Sequence, residues 1–315
     1  MKHAVGIDIG GTKISAVLLR TDGQTIKYRL FSTPKHGTSA ITEAISKAVT
    51  SVCEDPTSLS GIGIAAAGLI DRGSGTAIRG VNVGWENMPI VTSLTNRFQV
   101  PCILENDCNA AAWGEYQFGA SKTSTSSLFI TIGTGIGGGI IDNGRLVIGH
   151  NGYAGEIGHT LVAPSGPTCK CGSRGCLEAV ASGTAIERNG RNSNPDGIDP
   201  DSITANTVAQ AYAGGEQWAL KIWADAVYHI ALALVSARRL LSPDIIVVGG
   251  GVAEAGDVLI SPLRTDFARL SSDSISNSQS ASQLLQPSAL GAMAGAIGAA
   301  ALILSPPPGF KATHY

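Results

Sequence analysis

Ala4-Val5-Gly6-Ile7-Asp8-Ile9-Gly10-Gly11-Thr12-Lys13-Ile14-Ser15-Ala16-Val17-Leu18-Leu19 stands at the start of the chain, with Asp22-Gly23 just beyond it. An apolar run meets a glycine pair, a second apolar run follows, and a turn dipeptide closes the unit. That order predicts strand, tight loop, strand, turn. The same order returns at residues 128–147. Leu128 to Ile132 reads as a strand, Gly133-Thr134-Gly135 and the glycines after it as a loop, Gly139-Ile140-Ile141 as a second strand, and Asn143-Gly144 as a turn. The repeat is short and its identities are few, but the plan is shared. It implies an α/β protein of two similar halves with a cleft between them.

Between and after these repeats the hydrophobic spacing predicts further elements. Ser39 to Val52 has helical periodicity, with Ile41, Ile45, Ala48 and Val52 on one face. Gly61 to Gly68 reads as a buried strand ending in a turn. Ala110 to Phe118 reads as a helix just after Glu105-Asn106-Asp107. Glu216 to Leu241 is a long helical pattern, nearly apolar from Ile230 to Val235, as in a core helix. Ile245 to Val248 is a β-branched strand entering Gly249-Gly250-Gly251, and residues 288–304 form a helical pattern of small residues. Arg191 to Asp201 and Ser271 to Ser282 read as surface loops, and Ser305 to Gly309 as a loose tail.

Composition narrows the function classes. The chain has 315 residues, 43% of them hydrophobic, and a net charge of −2. A sizeable core follows, and a nucleic-acid surface or polybasic membrane anchor does not. Residues 1–10 show no secretory pattern, and no apolar run reaches the roughly 20 residues of a membrane span. Six cysteines in such a chain point to a reducing, cytoplasmic setting.

The glycine loops admit three readings. Gly133-Thr-Gly135-Ile-Gly137-Gly138 superficially satisfies a dinucleotide fingerprint, but that fingerprint opens a helix, and here a strand follows. Gly10-Gly11-Thr12-Lys13 lacks the spacing of a Walker loop. The third reading is a pair of hairpin turns whose backbone amides bind phosphate, joined by the loop at Gly250 and Gly251. Thr12 and Thr134 add hydroxyls and Lys13 a charge. Asp8 is placed to hold a magnesium ion through water.

The strongest chemical signal is Cys169-Lys-Cys171-Gly-Ser-Arg-Gly-Cys176, with His159 ten residues before it in Gly155-Glu156-Ile157-Gly158-His159. Three thiols and an imidazole suit tetrahedral zinc. Glu156 and Glu178 flank the cluster, and a structural zinc does not need them. Taken by themselves they read more readily as solvated surface acids. Asp107 reads equally as a general base and as the N-cap of the helix after it. Asn82, beside Trp85, reads as a turn next to a packing aromatic.

Asp8-Ile-Gly-Gly-Thr-Lys13, Glu105-Asn-Asp107, Gly133-Thr-Gly-Ile-Gly-Gly138, Gly155-Glu-Ile-Gly-His159 and the cysteine run ending in Leu177-Glu178 occur in that order. Together they resemble the ROK family of sugar kinases and repressors, from about residue 4 to about 300, and within it the bacterial ATP-dependent glucokinases. The resemblance implies an actin-like, hexokinase-like (ribonuclease H-like) two-domain fold with a central cleft. The small domain is expected at residues 1–118 plus about 292–315, and the large domain, with the zinc motif, at 119–291. It implies Asp107 as the base that takes the proton of the sugar 6-hydroxyl. Asn82, Asn106, Glu156, His159 and Glu178 are implied as sugar contacts, and His159, Cys169, Cys171 and Cys176 as ligands of a structural zinc. Mg-ATP as donor, glucose as acceptor and a homo-oligomer, dimer or tetramer, are further expectations. Kinases for N-acetylglucosamine, N-acetylmannosamine, mannose or fructose are the sibling alternatives. A sugar-responsive repressor is disfavoured, because a DNA-binding winged helix has no room before a strand that starts by residue 4. Two departures stand out: Cys108 where relatives commonly have alanine, and Ala65-Ala66-Ala67-Gly68 where they have proline.

Overall fold

The computed structural model describes residues 1–34, 37–80, 83–193, 195–271 and 280–310. By its contacts the chain divides into two compact units. The first comprises Met1–Thr123, Gly139–Ile148 and Ala289–Tyr315, and the second Ser124–Gly138 and Gly149–Ser288.

In the first unit, β1 (His3–Ile9), β2 (Lys13–Arg20) and β3 (Thr25–Ser32) form a meander. β4 (Ile62–Ala66) and β8 (Cys102–Asn106) extend the sheet on the other side of β1, giving the order β3-β2-β1-β4-β8. β1 pairs antiparallel with β2 and parallel with β4, and β4 pairs parallel with β8. A central strand covered on both faces reads as a continuous apolar run, as Val5 to Ile9 does. One face is covered by α1 (Thr38–Val52), which buries Ile41, Ile45, Ala48, Val49 and Val52. β5 (Leu69–Asp71), β6 (Thr76–Gly80) and β7 (Trp85–Met88) form a separate antiparallel sheet of order β5-β6-β7. α2 (Ile90–Phe98) leads from it to β8, and α3 (Asp107–Phe118) starts where β8 ends.

The last helix of the chain, α10 (Ala294–Leu304), packs on the other face of this sheet and against α3, and is buried from Ala294 to Leu302. Its contacts are backbone-close. A Cβ on Gly6 of β1 or Gly63 of β4 would run into the α10 backbone, and one on Gly114 of α3 would stand 2.8 Å from the Ala294 carbonyl oxygen. Small residues on all three elements are what permit this approach. The helical pattern expected over residues 288–304 therefore begins later, at Ala294, after a 3-10 turn over Gly291–Met293.

A second five-stranded sheet repeats the plan. β9 (Ser127–Ile132), β10 (Ile136–Asp142) and β11 (Arg145–Val147) form the meander, and β12 (Ile245–Gly249) and β13 (Leu285–Pro287) the parallel extension; by contacts, β11 and the end of β10 fall in the Gly139–Ile148 segment counted with the first unit. The order is β11-β10-β9-β12-β13. β9 pairs parallel with β12, and β12 parallel with β13, as β1, β4 and β8 do. β10 differs from expectation by starting at Ile136, so Gly137 and Gly138 belong to the strand and the loop shrinks to Gly133–Gly135. The reason is crowding. A Cβ on Gly138 would lie 2.9 Å from the Gly155 carbonyl oxygen, and one on Gly139 would lie 2.7 Å from that of Cys108. Only glycine lets other backbone approach the strand this closely.

α4 (Leu177–Ala181), α5 (Gly183–Ser193), α6 (Ala205–Ala213), α7 (Gln217–Leu241) and α8 (Asp257–Leu270) complete the second unit, with the short α9 (Ala281–Leu284) before β13. Among the described residues α7 alone is long and apolar enough by composition to cross a membrane, and half of its most apolar stretch is buried inside the unit. Trp223, Ile230 and Leu234 are its interior contacts, as expected of a core helix. The loop after α5 begins later than Arg191, since the helix runs to Ser193. Most of the stretch expected as a serine-rich loop, residues 272–279, lies outside the described residues.

Candidate active site

In the first unit the site grows from two strand ends. The β1–β2 turn is closed by the Gly10 N–H donating to Lys13 O at 2.9 Å. Thr33 braces it from β3's end, its hydroxyl donating to Gly10 O at 2.7 Å and its N–H to Thr12 O at 3.0 Å. With these carbonyls tied back, the turn presents Gly11, Thr12 and Lys13 outward, all three exposed. Asp8 sits just before it on β1.

The second strand end is β8–α3. Asn106 is the N-cap of α3, its Oδ1 accepting the N–H groups of Cys108 at 2.9 Å and Asn109 at 3.2 Å. Asp107 is therefore the first residue of the helix, and the N-cap role weighed for it belongs to Asn106. Capping by an amide leaves the Asp107 carboxylate for other work, although it also accepts the Cys108 N–H at 3.0 Å. Burial pushes the Asp107 carboxyl above the usual carboxylate range. Burial, and then repulsion from Asp107, pushes Asp8 up to about 7. Two partly buried carboxylates, the charge of Asp107 acting on Asp8, are a donor set suited to a hard divalent cation such as Mg²⁺.

One partner in this region was not anticipated. Glu105 is fully buried and accepts from Arg72 Nε at 2.6 Å, from Arg72 Nη2, from the Asn106 N–H at 2.8 Å and from Asn109 Nδ2 at 3.0 Å. The adjacency of Glu105 to Asn106 was legible. Arg72, 33 residues away, carried no local signal. Asn82 lies outside the described residues.

In the second unit the β9–β10 turn is built as the first is. The Gly133 N–H donates to Gly135 O at 2.9 Å. The Gly183 N–H donates to Gly133 O at 2.7 Å, and the Thr184 hydroxyl to Thr134 O at 2.7 Å. Gly250, at φ 89°, packs on the backbone of Ile132, and the Val252 N–H donates to Ile132 O at 2.8 Å. This brings the Gly250-Gly251 turn beside Gly133. Glu178, in the first turn of α4, reaches the same hairpin and accepts the Ile136 N–H at 3.0 Å.

The cysteine run folds into a knot on which α4 starts. Cys169 N–H donates to Ser173 O at 2.7 Å, Gly172 N–H to Cys169 O at 3.0 Å, and Leu177 N–H to Thr160 O at 2.9 Å. Gly172 and Gly175 take positive φ values of 95° and 73° in its two bends. The ligand atoms of His159, Cys169, Cys171 and Cys176 lie within 4.8 Å of one another. Cys169 Sγ is 3.6 Å from His159 Nδ1, and Cys171 Sγ is 3.6 Å from Cys176 Sγ. Tetrahedral zinc with Zn–S of about 2.3 Å separates its ligand atoms by roughly 3.7 Å, so the four residues fit that ion. Burial pushes the Cys176 thiol up to about 12, while the Ser173 amide draws the exposed Cys171 down to about 7. Three thiolates so close repel one another, a cost that a bound cation offsets. His159 turns its other nitrogen outward, Nε2 lying 3.9 Å from Glu156 Oε2, with both side chains over a third exposed. Gly158 keeps His159 near β10, since a Cβ there would strike the Ile136 carbonyl.

Fold and site together define an α/β protein with two five-stranded sheets of the same plan, glycine-rich strand turns in both, and a thiol–imidazole knot in the second unit. This is the actin-like, hexokinase-like two-domain class. Residues 4–305 match the ROK family, and the chain belongs to that family. A glucokinase of Halalkalibacterium halodurans is 37% identical over 278 residues, covering 84% of each chain. An N-acetylmannosamine kinase of Yersinia pseudotuberculosis is 35% identical over 260 residues, covering 81% of this chain and 85% of its own. The crystal structure of a ROK family glucokinase from Streptomyces griseus, in complex with glucose and AMPPNP, superposes with a TM-score of 0.83 at 33% identity. It covers 95% of this chain and 98% of that one.

Proposed function

We propose that the protein is an ATP-dependent hexokinase of the glucokinase type, transferring the terminal phosphoryl group of ATP to the 6-hydroxyl of glucose. The observation that carries the reading is Asp107: a carboxylate at the first position of α3, free of the capping role, with its pKa raised by burial. Such a group is a better proton acceptor near neutral pH than an exposed carboxylate. As the sugar oxygen bonds to phosphorus and the bond to the ADP oxygen breaks, the hydroxyl proton passes to Asp107. Relatives named glucokinase, alike along most of their length, support this reading.

Asn106, Glu156, His159, Glu178 and Asn82 are proposed to hold the sugar hydroxyls, each able to accept or donate in a fixed direction. Gly10, Gly11, Thr12, Lys13, Gly133, Thr134, Gly135, Gly250 and Gly251 are proposed for the nucleotide phosphates. Charge stabilisation by fixed amides is the main demand of phosphoryl transfer. Asp8 is the proposed carboxylate for Mg²⁺, which when bound supplies charge neutralisation. Zinc held by His159, Cys169, Cys171 and Cys176 has no open position, so its proposed part is to fix His159 and the start of α4. The proposed division puts the base in the first domain and the zinc motif in the second. A cytoplasmic homo-oligomer belongs to the same proposal.

The test is ADP release with glucose, mannose, fructose, N-acetylglucosamine and N-acetylmannosamine, beside Asp107→Ala. Turnover is expected to be highest with glucose and to fall by about 10²–10⁴ in the variant. No turnover with any sugar overturns the kinase reading. Highest turnover with N-acetylmannosamine selects the second reading, which the Yersinia relative favours.

A further inference from the structure

We propose that Arg72 is a positioning residue for the phosphoryl transfer, holding the Asn106-Asp107 corner in place through Glu105. The inference rests on the kinase reading and adds to it a residue outside the motifs that carry that reading.

The geometry is a relay of three links. Arg72 stands in the turn between β5 and β6, and Asp71 makes that turn rigid. Asp71 Oδ1 accepts the Gly73 N–H at 2.9 Å and Oδ2 accepts the Ser74 hydroxyl at 2.7 Å. From this turn the guanidinium reaches Glu105 with Nε and Nη2, one on each carboxylate oxygen. That two-point grip fixes direction as well as distance, which a lysine ammonium cannot do. Glu105 then spends its remaining acceptor capacity on the Asn106 N–H and on Asn109 Nδ2. Asn106 in turn caps α3 through Cys108 and Asn109. Asp107 is thus enclosed by bonds that converge on one carboxylate.

Burial makes Arg72 necessary to this arrangement. Glu105 is fully buried while Arg72 keeps about a fifth of its side chain exposed. An ionised buried carboxylate without a cation is costly, and losing one partner of such a pair disturbs the survivor more than losing both. Without Arg72, Glu105 draws water or turns away. Either response releases the Asn106 amide and Asn109, the two groups that set where α3 begins. The pair also ties two separate sheets together. Arg72 stands in the β5–β6 turn of the β5-β6-β7 sheet, and Glu105 belongs to the central sheet. Its loss therefore frees the base corner from the β5-β6-β7 sheet.

The test compares Arg72→Met, Arg72→Lys, Glu105→Gln and the Arg72→Met/Glu105→Gln double variant, each assayed for kcat and for both KM values below its own melting temperature. Arg72→Met is expected to lower kcat about tenfold or more and to leave the KM for ATP within about twofold, since the nucleotide turns are not involved. Arg72→Lys is expected to recover only part of kcat, because it restores charge without the two-point grip. The double variant is expected to lose no more than Arg72→Met alone, since both changes break one relay. Three outcomes overturn the proposal: kcat of Arg72→Met within about twofold of wild type, losses in the double variant that multiply, or full recovery with lysine. A wild-type protein with no sugar kinase activity defeats the functional reading itself, an outcome distinct from these three.

Discussion

Replacing Glu178 with alanine tests whether the metal knot governs the β9–β10 hairpin as well as the sugar. Glu178 Oε2 accepts the Ile136 N–H at 3.0 Å, and Ile136 is only 4% exposed. Water does not easily replace the lost acceptor at such a site. An amide bond to an ionised group contributes about 1.5–3 kcal/mol, and an orphaned buried amide costs about 1–3 kcal/mol. These describe one loss from two sides and do not add. A value of about 2 kcal/mol lowers the ratio of ordered to disordered hairpin roughly 30-fold. If Gly133, Thr134 and Gly135 take the nucleotide phosphates, the KM for ATP rises by about tenfold or more in Glu178→Ala. Glu178→Gln keeps an acceptor of the same reach, so it recovers most of the ATP affinity while still weakening the sugar. Steady-state kinetics in both substrates, with calorimetric titration of a non-hydrolysable ATP analogue, separates the two effects. Nucleotide affinity within about twofold of wild type in Glu178→Ala, with only the sugar KM raised, would refute the reasoning.

Further outcomes follow from the same structure. Asp8 titrates at about 7 in the fold against about 3.9 when unfolded. An acid whose pKa is raised by folding costs stability as pH rises between those values, because the unfolded chain releases its proton first. Metal-free protein should therefore lose thermal stability from about pH 4 to about pH 7, and Asp8→Asn should melt higher than wild type at pH 8 but not at pH 4. Equal melting of the two proteins at both pH values defeats that account. Elemental analysis should find one zinc per chain. Cys171→Ser should raise the sugar KM as well as lower the melting temperature, and an unchanged KM contradicts the link between knot and sugar. Glu115, fully buried in α3, accepts the N–H groups of Ala120 at 2.7 Å, Leu290 at 3.0 Å and Ala289 at 3.3 Å. Removing it as Glu115→Ala strands three amides, so urea unfolding should show a loss of about 3 kcal/mol or more, and a loss under about 1 kcal/mol would contradict it.

Much of the fold was legible because its signals are local. Strand, glycine turn and strand lie within some twenty residues in each repeat, and α1 announces itself by the spacing of Ile41, Ile45 and Ala48. The thiol–imidazole knot was legible for the same reason, since its ligands span only His159 to Cys176. Places where the reading and the structure part share one cause. β10 was read too short because Gly137 and Gly138 look like loop residues until Gly155 is seen against them. Asp107 was left open as a cap because aspartate is favoured at that position. Backbone geometry gave the cap to Asn106.

The sequence by itself determined the two repeated strand–glycine turn–strand units, the four metal-fitting ligands and membership of a family. Each rests on neighbours along the chain. Tertiary structure alone decided which carboxylates meet: Asp8 with Asp107, Glu105 with Arg72 and Glu178 with the Ile136 amide, the last pair 42 residues apart. A carboxylate's role depends on its burial and on the charge and donors facing it. Those are set by how strands and helices pack, which no spacing along the chain encodes.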